Sequence, residues 1–135
     1  MNREIEFRGK RLDNGKWIYG DLIYTKNDLG IITDCRIVEE YNPHESYIDG
    51  WAHRVNPETV GQFTEKHGER KEEIFDGDIV KWTSLYIEGE AIGEVTFFEG
   101  CWFIQGEKHN GQLNDCLTCE VIGNIYDNQR APNEA

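Results

Sequence analysis

Short segments in which polar and apolar residues alternate, each closed by a turn that contains glycine, dominate this chain and confine it to a strand-rich fold. Alternation with period two turns one face of a strand toward a core and the other toward water, whereas a helix needs apolar residues at every third or fourth position. No window of helical length shows such a period. Glu4-Ile5-Glu6-Phe7-Arg8 alternates, Asp13-Asn14-Gly15 supplies a turn whose glycine takes positive φ, and Lys16-Trp17-Ile18-Tyr19-Gly20-Asp21-Leu22-Ile23-Tyr24 returns as a longer aromatic strand, so residues 3–25 read as a hairpin. Gly20, inside that second strand, predicts a bulge or close packing against a second layer.

Asn27-Asp28-Leu29-Gly30 is the next turn, and residues 30–38 form another strand. Residues 39–53 hold no period; with Asn42-Pro43-His44, Asp49-Gly50 and the aromatics Tyr41, Tyr47 and Trp51, they read as a long functional or assembly loop. Asn56-Pro57 restrains the entry to a short strand over 59–64. Residues 65–73 are nearly all charged, face solvent and mark a boundary. Beyond them short strands recur over 79–82, 92–98, 101–104 and 120–126, separated by turns such as Asp76-Gly77-Asp78 and Glu99-Gly100. That punctuation predicts a small curled sheet, nearest to an SH3-like barrel, with Gly93 and Gly123 as bending points. The expected organisation is an N-terminal β region over 1–64 and a C-terminal barrel-like region over 74–127, as two parts or one compact unit. A chain of 135 residues buries enough surface for a core without disulfide or metal.

Acidic residues outnumber basic ones by 26 to 14, and the net charge of −12 repels polyanions at long range. The basic residues near the start, Arg3, Arg8, Lys10, Arg11 and Lys16, are offset by Glu4, Glu6 and Asp13. They read as a solvated strand edge, since a nucleic-acid footprint needs several phosphate contacts. No run of 18 apolar residues occurs and the opening residues lack a secretory apolar segment, which predicts a cytoplasmic protein without membrane contact. Its four cysteines, 35, 101, 116 and 119, are then expected as reduced thiols.

Cys116-Leu117-Thr118-Cys119 has the spacing of half a zinc site, and Cys101 and His109 are the candidates for the other half, but they stand eight residues apart rather than as a close pair. The four histidines lack the helical i, i+4 arrangement of a zinc hydrolase, and neither a nucleophile elbow, a phosphate loop nor a dinucleotide fingerprint occurs. In Asp76-Gly77-Asp78 the immediate onset of Ile79-Val80 argues for a structural turn and against a calcium loop. No catalytic residue, cofactor or metal ligand is therefore assigned. Aromatics are the more suggestive class, because interfaces need buried aromatic anchors: Tyr41, Tyr47, Trp51, Trp82, Trp102 and Phe103 are the interaction candidates.

Five blocks, Arg3-Glu4-Ile5-Glu6-Phe7-Arg8-Gly9-Lys10, Asp13-Asn14-Gly15-Lys16-Trp17-Ile18-Tyr19-Gly20-Asp21-Leu22, Asn56-Pro57-Glu58-Thr59-Val60-Gly61-Gln62-Phe63-Thr64, Glu73-Ile74-Phe75-Asp76-Gly77-Asp78-Ile79-Val80 and Glu120-Val121-Ile122-Gly123-Asn124-Ile125-Tyr126-Asp127, together resemble the YopX family, encoded mostly by bacteriophages and prophages. The resemblance implies a mainly β protein with oligomeric assembly and brings no catalytic or ligand positions with it. The charged tract 65–72 departs from the family's turn of leucine, lysine and aspartate followed by lysine, asparagine and glycine, and the C-terminal cysteine pair lies outside the pattern. The resulting reading is a non-catalytic, phage-derived interaction or assembly protein that contacts itself and other proteins. Three alternatives stand beside it: a nucleic-acid-associated small-barrel module, an acidic nucleic-acid mimic that binds a host factor, and an enzyme for a small substrate using His44 and His53 with Glu45, Asp49 or Asn56.

Overall fold

The structure is a computed structural model that describes residues 5–39 and 52–127. Among them there is no α-helix, and every strand pairing is antiparallel. The chain divides into two compact units between Phe63 and Thr64.

In the first unit β1 (Phe7–Lys10) pairs with the start of β2 (Trp17–Lys26) across the expected turn. Gly15 takes φ +71°, and the Asn14 side chain accepts from the Lys16 amide. At Asp21 β2 changes partner and runs on as a hairpin with β3 (Ile32–Val38), closed at Asn27, whose side-chain oxygen accepts from the amides of Leu29 and Ile31. A short β4 (Ala52–Arg54) pairs with β3, so the last residues of the expected long loop are strand; residues 40–51 lie outside the described residues. Asn56-Pro57 opens a 3-10 turn, Pro57–Thr59, in place of the expected strand start, because Asn56 caps it by accepting from the Glu58 amide. Then β5 (Gly61–His67) pairs with β1, giving the order β4-β3-β2-β1-β5. The core is Ile18, Cys35, Ile37 and Val55, flanked by Phe7, Leu22 and Val60.

The second half of β5 lies beyond the division and pairs with β6 (Glu73–Phe75). The charged tract between them is fastened rather than loose. Glu72 accepts from the amides of Arg70 and Val121, and the Arg70 guanidinium donates to the Val121 carbonyl. Burial works against the charged form of Glu72, but these amides, its own amide and the Arg70 charge outweigh it and hold the carboxyl below its ordinary value. A depressed carboxyl stabilises the fold above its ordinary pKa and stops doing so as pH falls through the lowered value. Protection of the Arg70 and Val121 amides, their exchange rate relative to the intrinsic rate at each pH, is therefore expected to fall as pH drops below the ordinary glutamate range. Glu72→Gln should show that lower protection already at neutral pH, and a wild-type protection factor independent of pH would contradict this.

The remaining strands are β7 (Asp78–Ser84), β8 (Ala91–Phe98), β9 (Cys101–Gln105), β10 (Asn110–Gln112) and β11 (Cys116–Asn124), in the order β10-β9-β8-β7-β11. In β7 the alternation is complete: Asp78, Val80, Trp82 and Ser84 are buried on one face. With Ile74, Val95, Ile104, Leu113 and Cys119, the apolar members of that face make the core. The expected barrel is corrected to an open sheet, since no ladder joins β10 to β11. The reason is local: β10 has only three residues and passes at once into a 3-10 turn, Leu113–Asp115. Gly93 sits where a Cβ would lie 2.8 Å from the Gln105 carbonyl oxygen, and Gly123 falls at a register shift of β11.

Candidate interaction surface

Two exposed features stand out, one in each unit. In the first, the distal half of the β2–β3 hairpin is exposed on both faces from Ile23 through Thr33. Alternation sends Ile23 and Tyr24 to opposite faces, and the tip carries Leu29, 84% exposed, and Ile31, 58% exposed. A two-stranded ribbon is marginal in water, and its apolar side chains here have no layer of the unit over them.

In the second unit the β8–β9 hairpin ends in aromatics. Phe98 pairs directly with Cys101, so the loop is the two residues Glu99 and Gly100, both at positive φ (+48° and +84°), the backbone of a tight type I′ turn. Cross-strand pairing sets Phe97 edge-on to Trp102 with ring centroids 5.0 Å apart, and Phe98 edge-on to Phe103 at 6.1 Å on the opposite face. Phe97 and Phe98 are each 57% exposed, while Trp102 and Phe103 are half-buried.

Of the aromatic candidates from sequence, Trp102 and Phe103 lie on this hairpin, on opposite faces. Trp82 is in the core, and Tyr41, Tyr47 and Trp51 lie outside the described residues. Phe97 and Phe98 were missed; the signal was two consecutive phenylalanines before a turn, which period two cannot both bury.

Arg8 is buried with its guanidinium 4.6 Å from the Trp17 ring centroid, Lys10 lies over the same ring, and Arg11 is paired with Asp13. Arg3 lies outside the described residues. The loop cluster of His44, Glu45 and Asp49 does so too, leaving His53 on β4 and Asn56 at its cap.

Asp76-Gly77-Asp78 is a turn with Gly77 at φ +91°, and the buried Asp78 carboxylate accepts from the Phe75 amide. An open groove of about 770 Å³ between β8 and the loop after β9 is bordered by Glu88, Glu90, Glu94, Glu107, Lys108 and His109. Among the described residues no three His, Cys, Asp or Glu side chains converge as metal ligands, and no helix is long and apolar enough to cross a membrane. Cys116 and Cys119, by contrast, face each other.

Antiparallel sheets and no α-helix among the described residues define a mainly β protein, with exposed apolar side chains on two of its hairpins. The sequence matches the YopX family, described as YopX protein, over residues 6–131, and the chain belongs to that family. No curated protein matches it. Among solved structures, a similar fold occurs in the crystal structure of protein EF1440 from Enterococcus faecalis. Its TM-score is 0.54 at 18% identity, covering 94% of this chain and 96% of that one, a likeness of fold alone.

Proposed function

We propose that this chain is a non-catalytic assembly protein of phage or prophage origin, acting in the bacterial cytoplasm through contacts with copies of itself and with other proteins. The observation that carries this is the β2–β3 arm, with apolar residues on both faces and at its tip. A second copy covering Leu29, Ile31 and Ile23 would remove that surface from water, at about 1.5–3 kcal/mol for each such side chain fully buried. The aromatic β8–β9 tip is the anchor for a further protein partner, since aromatics on a rigid turn supply most interface energy. In the second unit β7 to β10 form a meander and, after a 3-10 turn, β11 returns beside β7, which supports an SH3-like strand order in a sheet that stays open. The charge of −12 and the internal use of Arg8 and Arg11 support the ranking of protein over nucleic-acid partners.

Sedimentation at about 10 μM, where a contact with Kd near 1 μM is mostly formed, tests the reading. The wild type should sediment as more than a monomer. Leu29→Asp with Ile31→Asp should weaken association about a hundredfold by placing unpaired carboxylates in the contact. Phe97→Ser with Phe98→Ser should leave self-association unchanged. A monomeric wild type overturns the proposal, and a monomer produced only by the phenylalanine changes moves the self-contact to the other hairpin.

A further inference from the structure

On a regular strand, residues three apart point to opposite faces. Cys116 and Cys119 do not. In the β11–β7 register Cys116 lies opposite Ser84 and Cys119 opposite Trp82, two positions apart on β7 and hence on one face. The register shift between Cys116 and Thr118 absorbs the odd residue, leaving Leu117 exposed. Two strand positions span about 6.6 Å, at the upper limit of the roughly 4.4–6.8 Å between Cα atoms that a disulfide bridges, so closing the bond requires the bulge to draw the two Cβ atoms toward each other. The thiols also border an open cleft of about 360 Å³, with Lys66, His67 and Leu113 on its wall, so a small reagent can reach them.

The two are not equivalent. Cys119 is buried, whereas Cys116 is half-buried where β11 begins. A hydrogen bond from Cys119 favours the Cys116 thiolate and lowers its pKa, outweighing burial and the neighbouring Asp115 charge. The same bond, burial and the Cys116, Glu72 and Asp78 charges keep the proton on Cys119. Nucleophilic attack by a thiol requires its thiolate, so the pair has a built-in order of reaction.

We propose that Cys116 and Cys119 form a thiol–disulfide exchange site for low-molecular-weight disulfides, with Cys116 as the attacking sulfur and Cys119 as the resolving one. The Cys116 thiolate attacks one sulfur of a disulfide RSSR, the RS–SR bond breaks, and RS⁻ leaves and takes a proton from water. Cys119 then gives up its proton to solvent and attacks Sγ of Cys116, expelling the second RS⁻ and closing the Cys116–Cys119 bond. Two protein thiols are oxidised and one disulfide is reduced to two thiols.

The test treats the full chain carrying Cys101→Ser, which removes the other half-buried thiol, with oxidised glutathione at neutral pH and maps the products by mass spectrometry. The expected product is a peptide pair linked through residues 116 and 119. With Cys119→Ser added, a glutathionyl adduct should accumulate on Cys116; with Cys116→Ser instead, Cys119 should react at least about tenfold more slowly. Should either serine variant lose the strand-rich circular dichroism spectrum, the parent chain decides by whether the 116–119 link forms. Absence of that link, equal reactivity of the two thiols, or one zinc per chain purified on the pair overturns the proposal.

Discussion

Replacing Trp82 by alanine is expected to lower stability by about 3–5 kcal/mol, a large share of the roughly 5–15 kcal/mol that holds a domain folded. Trp82 is 1% exposed and stands at the centre of the second core, opposite Cys119 on β11 and next to Val80, Val95, Ile104 and Leu113. Its ring lies over Gly111, where a Cβ would come within 2.7 Å of the ring edge, so β10 is packed directly on the indole. Alanine would leave a cavity beneath β10 and β11, the two edges of the sheet, which have no further strand to hold them. The buried indole Nε1 has no hydrogen-bond partner among the described residues. The cost is thus one of packing, and Trp82→Phe, which removes an unpaired donor while keeping most of the ring, should cost only about 1 kcal/mol. Urea titrations of the two variants check this, reading the midpoint shift at unchanged slope. A phenylalanine variant as unstable as the alanine one would mean that the indole N–H has a partner.

Gly20→Ala is expected to cost about 3 kcal/mol, the upper part of the range for forcing atoms into filled space. A Cβ at Gly20 would lie 1.9 Å from the Val38 carbonyl oxygen, a backbone atom that cannot rotate away. Gly20 is the last residue of β2 to pair with β1, and its neighbour Asp21 is the first to pair with β3. Relief of the clash therefore displaces the end of β3, and the projecting arm loses its root. Gly15→Ala is the control. Gly15 also has positive φ, but nothing lies within 4 Å of its Cβ position, so the cost there is only backbone strain of about 1 kcal/mol. Comparable midpoints for the two variants would remove the close approach at Gly20 as a cause.

Gly20 also illustrates how much was legible beforehand. Its place inside a strand pattern predicted a bulge or close packing against a second layer; the close approach is real, but it comes from the Val38 carbonyl of β3, the neighbouring strand of the same sheet. The turns at Asn14-Gly15, Asn27 to Gly30, Asp76-Gly77 and Glu99-Gly100 were readable because each depends on residues adjacent in the chain. Short strands that carry little alternation were not: β10 is Asn110-Gly111-Gln112, polar throughout, and becomes a strand only because β9 offers it a ladder. The 3-10 turn at Pro57 was hidden by an equally good extended reading of Asn56-Pro57.

The candidate site was legible in residue type more than in position. Trp82 and Trp102 are both tryptophans in strands, and no local pattern tells that one fills a core while the other flanks an exposed hairpin. That outcome depends on which strands lie above them. The cysteines make the same point from the other side, since their i, i+3 spacing on a strand predicts opposite faces and only the bulge against β7 reverses it.

By itself the sequence determined the strand-rich class and the hairpin turns, because alternation and turn chemistry are properties of neighbouring residues, and the net charge of −12, which is a plain count. Tertiary structure alone decided that β11 returns to β7, that the sheet stays open and that Cys116 meets Cys119. Those depend on pairings across long stretches of chain, such as Thr83 with Thr118, 35 residues apart and joined by their hydroxyls. Register across such a distance is set by which arrangement buries the alternating faces together, an energy summed over the whole sheet rather than written in any one segment.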